Sequence, residues 1–131
     1  MKHSNFCRVW AIMERLLKCR LLIPSRRATV DYLIDFDCLP WESPMKGLRY
    51  KAVTHGSRQL RLVEYTKELE PHWCKKGHTG YLLEGRFEIT FDRGAFVFNP
   101  GSGIFIPAGM EHRHMGKVLS DVVRAIFVED A

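Results

Sequence analysis

Short runs of alternating hydrophobic and polar residues recur from about residue 30 to the end of the chain. Such runs, rich in β-branched and aromatic residues and separated by glycine- and proline-containing turns, predict β-strands. The predicted strands span residues 30–36, 47–53, 58–65, 79–83, 86–91, 95–99, 104–107 and 122–128. Eight or more short strands at this spacing indicate an all-β sandwich or barrel. No helix is expected in this part of the chain.

The first 28 residues have a different pattern. Trp10, Met13, Leu17 and Leu21 recur at steps of three and four, which predicts a short amphipathic helix ended by Pro24. Three interpretations stay open: the helix packs on the barrel, it binds a membrane or a partner, or translation begins further in, for example at Met13. We therefore predict a basic, helical N-terminal extension over residues 1–28 and a barrel domain over residues 29–131.

The charge divides in the same way. The chain carries 20 Lys and Arg against 15 Asp and Glu, a formal charge of +5. Residues 1–28 hold seven of the basic residues and one acidic residue, so the remainder is close to neutral. The basic balance therefore suggests nucleic acid or an anionic membrane as a partner of the extension only, and neither is expected for the barrel.

Composition and cysteine spacing narrow the class further. A hydrophobic content of 46% excludes a disordered chain. The sequence has no run of 18 apolar residues, so no membrane-spanning helix is predicted. Cys7, Cys19, Cys38 and Cys74 form no Cys-x-x-Cys pair, and the N-terminus does not resemble a secretory signal. We therefore expect a cytoplasmic protein with reduced thiols.

Histidine and cysteine cluster between residues 72 and 114. His72 and Cys74 are two residues apart, as are His112 and His114, so on a strand each pair shares a face; His78 follows Cys74 by four. Imidazole and thiolate are preferred donors for zinc and for iron, nickel or copper. We predict a metal site formed by His72, Cys74, His78 and His112. His114 is the weakest candidate, since it could lie behind the ligands or in solvent.

Two segments resemble the motifs of the cupin superfamily. From His72 to Gly85 the order is His-Trp-Cys, three residues, His, six residues, Gly; from Gly101 to His112 it is Gly, five residues, Pro-Ala-Gly, two residues, His. The resemblance covers about residues 30–130. It implies a double-stranded β-helix, the jelly-roll barrel, here with a short N-terminal helical extension.

The resemblance also assigns ligand positions. His72 and His112 match histidine ligands of the family, whereas Cys74 stands where the second histidine is usual and His78 where a glutamate is usual. If all four bind, the site is closed and tetrahedral, as in structural or ligand-sensing zinc sites. If Cys74 stays out, three histidines remain, which resembles thiol-oxidising cupin dioxygenases. We associate no defined reaction with cupins that carry this His-Trp-Cys segment.

These observations predict one divalent metal ion, zinc first and iron(II) or nickel next. The expected function is a metal-dependent enzyme, an oxygenase or an isomerase, acting on a small molecule in the barrel mouth. The alternative is a non-catalytic module that binds or senses a metal or small ligand. Glu64 and Tyr81 are candidate proton-transfer residues if they reach the cavity. The resemblance implies a homodimer formed by strand exchange, with residues 30–36 as the candidate strand.

Overall fold

The computed structural model describes residues 32–131 and, in the N-terminal stretch, Glu14. The chain divides into two compact units, Met1–Pro40 and Trp41–Ala131. The predicted helix of the extension lies outside the described residues, and the predicted boundary at residue 28 stays a prediction. Within residues 32–131, no helix has the length and apolar character needed to cross a membrane.

Nine β-strands form the second unit, with one 3-10 turn, Met110–His112, between β7 and β8. The strands are β1 (Glu42–Met45), β2 (Leu48–His55), β3 (Arg58–Thr66), β4 (His78–Glu84), β5 (Phe87–Phe91), β6 (Gly94–Phe98), β7 (Gly103–Ile106), β8 (His114–Val118) and β9 (Val122–Asp130).

The strands form two antiparallel sheets. The larger sheet has the order β1-β2-β3-β9-β4-β7, and the smaller has the order β6-β5-β8. In the larger sheet β9, the last strand of the chain, lies between β3 and β4, which are much earlier in the sequence. This crossing between sequence-distant strands is typical of a jelly roll, and the all-β class is confirmed.

The core lies between the inner faces of the two sheets. On β3, β4 and β9 every second side chain points inward, and Val63, Leu82 and Val123 are fully buried there. Phe87 and Ile89 of β5 cover them from the smaller sheet as part of the same hydrophobic cluster. Burying such side chains stabilises the fold by about 1.5–3 kcal/mol each.

The turn between β4 and β5 depends on a glycine, as the sequence predicts. Gly85 has a φ of 84°, in the left-handed region that favours glycine. A Cβ at this position would also collide with the carbonyl oxygen of Val122. The position therefore combines a backbone requirement with a close approach.

The structure differs from the strand predictions at one predicted strand and at two strands that were not predicted. The described part of the predicted strand at residues 30–36 is not a strand, because the Asp35 carboxylate accepts a hydrogen bond from the Asp37 amide at 2.9 Å and caps a 3-10 turn, Phe36–Cys38. Strands β1 and β8 were not predicted.

Cys38 is disulfide-bonded, which differs from the expected reduced state, whereas Cys74 is a free cysteine.

Candidate metal centre

Three donor side chains converge at one end of the barrel interior. One ligand atom each from Cys74, His78 and His114 lies within 4.8 Å of the others. The Cys74 sulfur is 3.7 Å from Nε2 of His78, and the two imidazole rings meet edge to face with centroids 5.0 Å apart. His114 is buried, and the other two residues are partly buried. This is the one group among the described residues whose donors could hold a metal ion.

The fold brings these residues together from distant parts of the sequence. Cys74 lies in the connection between β3 and β4 and pairs with His114, the first residue of β8, through two backbone hydrogen bonds of 2.7 and 2.8 Å. His78 is the first residue of β4. An isolated bridge and two strand ends thus fix the three backbones, which limits the movement of the donor atoms.

Both imidazoles are held by their Nδ1 atoms. Nδ1 of His78 is 2.5 Å from a carboxylate oxygen of Glu129, and Nδ1 of His114 is 3.0 Å from the backbone carbonyl oxygen of His112. Because a carbonyl oxygen only accepts, Nδ1 of His114 carries a proton, so Nε2 is the ring atom left to face Cys74 or a metal ion. Oxygen acceptors behind the imidazoles are the usual companions of metal-binding histidines. The donor set therefore fits a metal ion.

Glu129 connects His78 to a cation. Its second carboxylate oxygen lies 2.5 Å from Nη2 of Arg61, and the side chains of Glu129 and Arg61 are 9% and 17% exposed. Thr79 of β4 pairs with Val128 of β9, so the neighbouring His78 lies beside Glu129. The inward-facing side chains of β9 are thus apolar deeper in the barrel, and the row ends at the charged Glu129, which is paired with Arg61.

The metal-free site has perturbed protonation equilibria. Hydrogen bonds from His114 and His78 lower the pKa of the Cys74 thiol from 9.0 to about 5, against the effect of its partial burial. Burial alone would lower the pKa of His78, but Cys74 and Glu129 outweigh it and raise that pKa to about 9. Burial would raise the pKa of Glu129, yet His78 and Arg61 hold it below its usual value. At neutral pH the site is therefore a thiolate beside an imidazolium.

A cavity of about 540 Å³ opens at the donors. Its volume lies within the range of small-molecule sites, roughly 300–1,000 Å³. Cys74, His78 and His114 form part of its wall, and the ring of Tyr65, stacked on Phe87 at 5.0 Å, lines it elsewhere. The donors therefore face a space in which a small molecule could lie.

His72 and His112 are not brought into this group. His72 lines the cavity but is exposed, with Nδ1 at 3.1 Å from the Glu70 carbonyl oxygen. It lies outside any strand, so the expected shared face with Cys74 does not form. His112 ends the 3-10 turn, where its Nε2 is 3.5 Å from Glu111, and contributes only its carbonyl oxygen behind His114.

His114 is the donor that the sequence reasoning undervalued. On a strand His112 and His114 would share a face, but Met110–His112 form a 3-10 turn and β8 begins only at His114. The Pro-Ala-Gly sequence is the signal that could have shown this, since such a turn moves the start of the next strand.

Glu64 and Tyr81 lie outside the cavity, which corrects their suggested roles. On β3 the inward residues are Val63 and Tyr65, so Glu64 points to the outer face, where it bonds Arg49 at 2.6 Å and Arg124 at 2.9 Å. Tyr81 is 47% exposed, because it alternates with the buried Leu82 on β4. Neither residue lines the space next to the donors.

Comparisons with known proteins agree with this architecture. A family model described as "Cupin domain" matches residues 61–128. KdgF from Halomonas sp. is 21% identical, with 76% of this chain and 94% of that chain covered and a TM-score of 0.60. An RmlC-like cupin from Shewanella frigidimarina is 16% identical, with coverages of 79% and 94% and a TM-score of 0.61. The Schizosaccharomyces pombe Cnp3 cupin domain is 14% identical, with coverages of 76% and 74% and a TM-score of 0.62. These structural likenesses concern the fold, and the search of curated proteins finds no match.

Proposed function

Because the chain belongs to the cupin family, we propose that its barrel binds one divalent metal ion through Cys74, His78 and His114 and presents it to a small molecule in the cavity. The observation that carries the proposal is the convergence of three donors whose two imidazoles are already held at Nδ1. Holding Nδ1 directs Nε2 of each ring to the ion.

The donor chemistry favours a borderline-soft ion. One thiolate and two imidazoles suit zinc first, and iron(II) or nickel next. Three protein ligands leave a position for a small molecule, as in zinc sites that bind substrate. An ion held there would polarise an oxygen of the bound molecule as a Lewis acid. This chain's residues would orient the ion and shield it from bulk water.

A second candidate is metal-dependent binding of a small ligand without catalysis. The observation that favours it is the cavity lining, which contains no carboxylate side chain among the described residues. With Glu64 and Tyr81 on the outer face, the usual carboxylate for proton transfer is missing from the wall. Oxygenase or isomerase activity stays a prediction.

Metal content of four histidine variants tests the site. Purified protein is reconstituted with zinc, desalted and measured by elemental analysis, with affinity taken from competition with a chelating dye. We expect His78→Ala and His114→Ala to lose most of the metal, whereas His72→Ala and His112→Ala keep about one ion per chain. The second pair is a matched control, because those histidines lie within two residues of Cys74 or His114. Loss of metal in the second pair and retention in the first would contradict the proposal.

Homodimer formation also stays a proposal. The exchange was expected at residues 30–36, whose described part forms no strand. Sedimentation analysis of the purified chain tests it, and a monomer at micromolar concentration would contradict it.

A further inference from the structure

Apart from the three metal donors, the charged side chains that line the cavity are all basic. Arg61, Lys75 and Lys76 line it, and the described residues contribute no Asp or Glu side chain to the same wall. Both lysines are exposed, and neither forms an ion pair within residues 32–131. Glu129 binds Arg61 but does not itself line the cavity. The space therefore has a basic wall, in which Arg61 is paired with Glu129 and the two lysines have no ion-pair partner among the described residues.

Arg61 has a donor to spare. Its Nη2 binds Glu129, and its guanidinium carbon lies 5.1 Å from the ring centroid of Tyr50. Its Nε is buried and has no hydrogen-bond acceptor among the described residues. A buried donor without an acceptor destabilises the fold. A ligand acceptor would satisfy this donor once the Arg61 side chain turns its Nε toward the cavity.

The remainder of the cavity is apolar. Phe87, Ile104 and Phe127 line it together with the ring of Tyr65. A ligand that fills the space therefore needs a charged group for the cationic wall and a hydrocarbon or ring body for the apolar wall.

We propose that the cavity binds a small organic anion, with its carboxylate at Arg61 and the Lys75–Lys76 pair and its apolar body against the aromatic wall. The proposal deepens the function proposed above and rests on it for the metal. The thiolate of Cys74 and the carboxylate of Glu129 offset the two charges of a divalent ion, so the three cationic side chains remain to be balanced by a ligand. Guanidinium and ammonium groups are the usual partners of carboxylates in such sites.

Calorimetric titration of the zinc-loaded protein with three probes tests the ligand class. Hexanoate carries the charge and the apolar body, hexanamide has the same size without the charge, and inorganic phosphate has charge without the body. We expect saturable hexanoate binding at least about tenfold tighter than hexanamide, because hydrogen bonds to a charged carboxylate are stronger than those to a neutral amide. Phosphate should bind more weakly than hexanoate. Equal binding of hexanoate and hexanamide, tighter binding of phosphate, or no hexanoate binding up to about 50 mM would overturn the proposal.

Variants locate the binding. Arg61→Gln should weaken hexanoate at least about tenfold and leave hexanamide unchanged, whereas Arg93→Gln, an exposed turn residue, should behave as wild type. Unchanged hexanoate affinity in Arg61→Gln would overturn the assignment.

Because Arg61 also supports Glu129, the metal content of each variant is measured in parallel. If Arg61→Gln loses zinc, a double Lys75→Gln/Lys76→Gln variant replaces it, with Lys67→Gln/Lys117→Gln as its control. The first double variant should lose hexanoate affinity while keeping zinc, and equal affinity in both would overturn the proposal. Zinc binding without preference for the anion would refute only this inference, whereas anion binding without zinc would refute only the metal function.

Discussion

Glu129 links the candidate metal ligand His78 to Arg61, and replacing Glu129 by glutamine tests that link. The Glu129 carboxylate accepts a hydrogen bond from Nδ1 of His78 at 2.5 Å. It accepts another from the guanidinium of Arg61 at the same distance. Glutamine keeps the size and one oxygen acceptor but removes the charge. The change therefore alters how strongly His78 donates to a metal, without opening a cavity.

Two effects of opposite sign determine the result. Loss of a carboxylate behind a metal-binding histidine weakens metal affinity about 10- to 100-fold, or about 1.4–2.7 kcal/mol. Glu129 also helps to raise the pKa of His78 to about 9, so a proton competes with the ion at every pH below that value. At pH 7 this competition costs the wild type about one hundredfold, tenfold for each pH unit. In the variant the pKa of His78 is lower, so a proton competes less strongly with the metal ion at pH 7.

We therefore expect a loss of about 10- to 100-fold at pH 9 and a smaller loss at pH 7. Zinc affinity is measured by chelator competition at both values, and the partly buried Glu88 of β5 supplies the control Glu88→Gln. In the wild type the logarithm of the apparent affinity should rise by about one for each pH unit between 7 and 9. A flat wild-type profile, or an equal loss in the control, would refute the reasoning.

Further outcomes concern stability and reactivity. Leu82→Ala removes a fully buried side chain and should lower the free energy of unfolding by about 2–5 kcal/mol in urea titrations; a loss under about 1 kcal/mol would contradict the assigned core. Gly80→Ala would push a Cβ into the carbonyl of Ile126, whereas a Cβ at Gly103 would meet open space. The melting temperature of Gly80→Ala should therefore fall, and that of Gly103→Ala should stay near the wild-type value. In chelator-treated protein, iodoacetamide should alkylate Cys74 with a half-maximal rate near pH 5, since its pKa is lowered to about 5. Zinc should suppress that reaction, and a midpoint near pH 9 would contradict the thiolate.

Most of the fold could be predicted from local pattern. The alternation of residues 58–65 predicted the strand β3, whereas which of its two faces points inward is visible only in the structure, where Val63 and Tyr65 face the core. For the described part of the strand predicted at residues 30–36, the prediction was wrong because hydrophobic alternation was given more weight than Asp35, whose side chain closes a local turn instead. The pairing of β9 between β3 and β4 is non-local, so no local pattern reports it.

The site was predicted less completely for the same physical reason. Cys74 and His78, which spacing placed in one predicted site, do lie close together in the structure, and their role as ligands stays a prediction. The contribution of His114 depends on where β8 begins, and that of Glu129 depends on the register of a strand some 50 residues away. His72 was overvalued because the face rule holds only for residues in a strand, and His72 is not in one.

The replacement of the usual glutamate by His78 changes where the negative charge of the centre resides. In the resembling motif a carboxylate stands at this position, whereas here the thiolate of Cys74 would supply the negative charge next to a bound metal ion. A carboxylate is nevertheless present behind the imidazole, since Glu129 reaches His78 from β9. Because Glu129 is also tied to Arg61, its charge is shared with a cation and binds the ion less strongly than a direct ligand would. The donor set therefore combines a soft thiolate with imidazoles strengthened from behind, which favours zinc over a hard, oxygen-seeking ion such as magnesium.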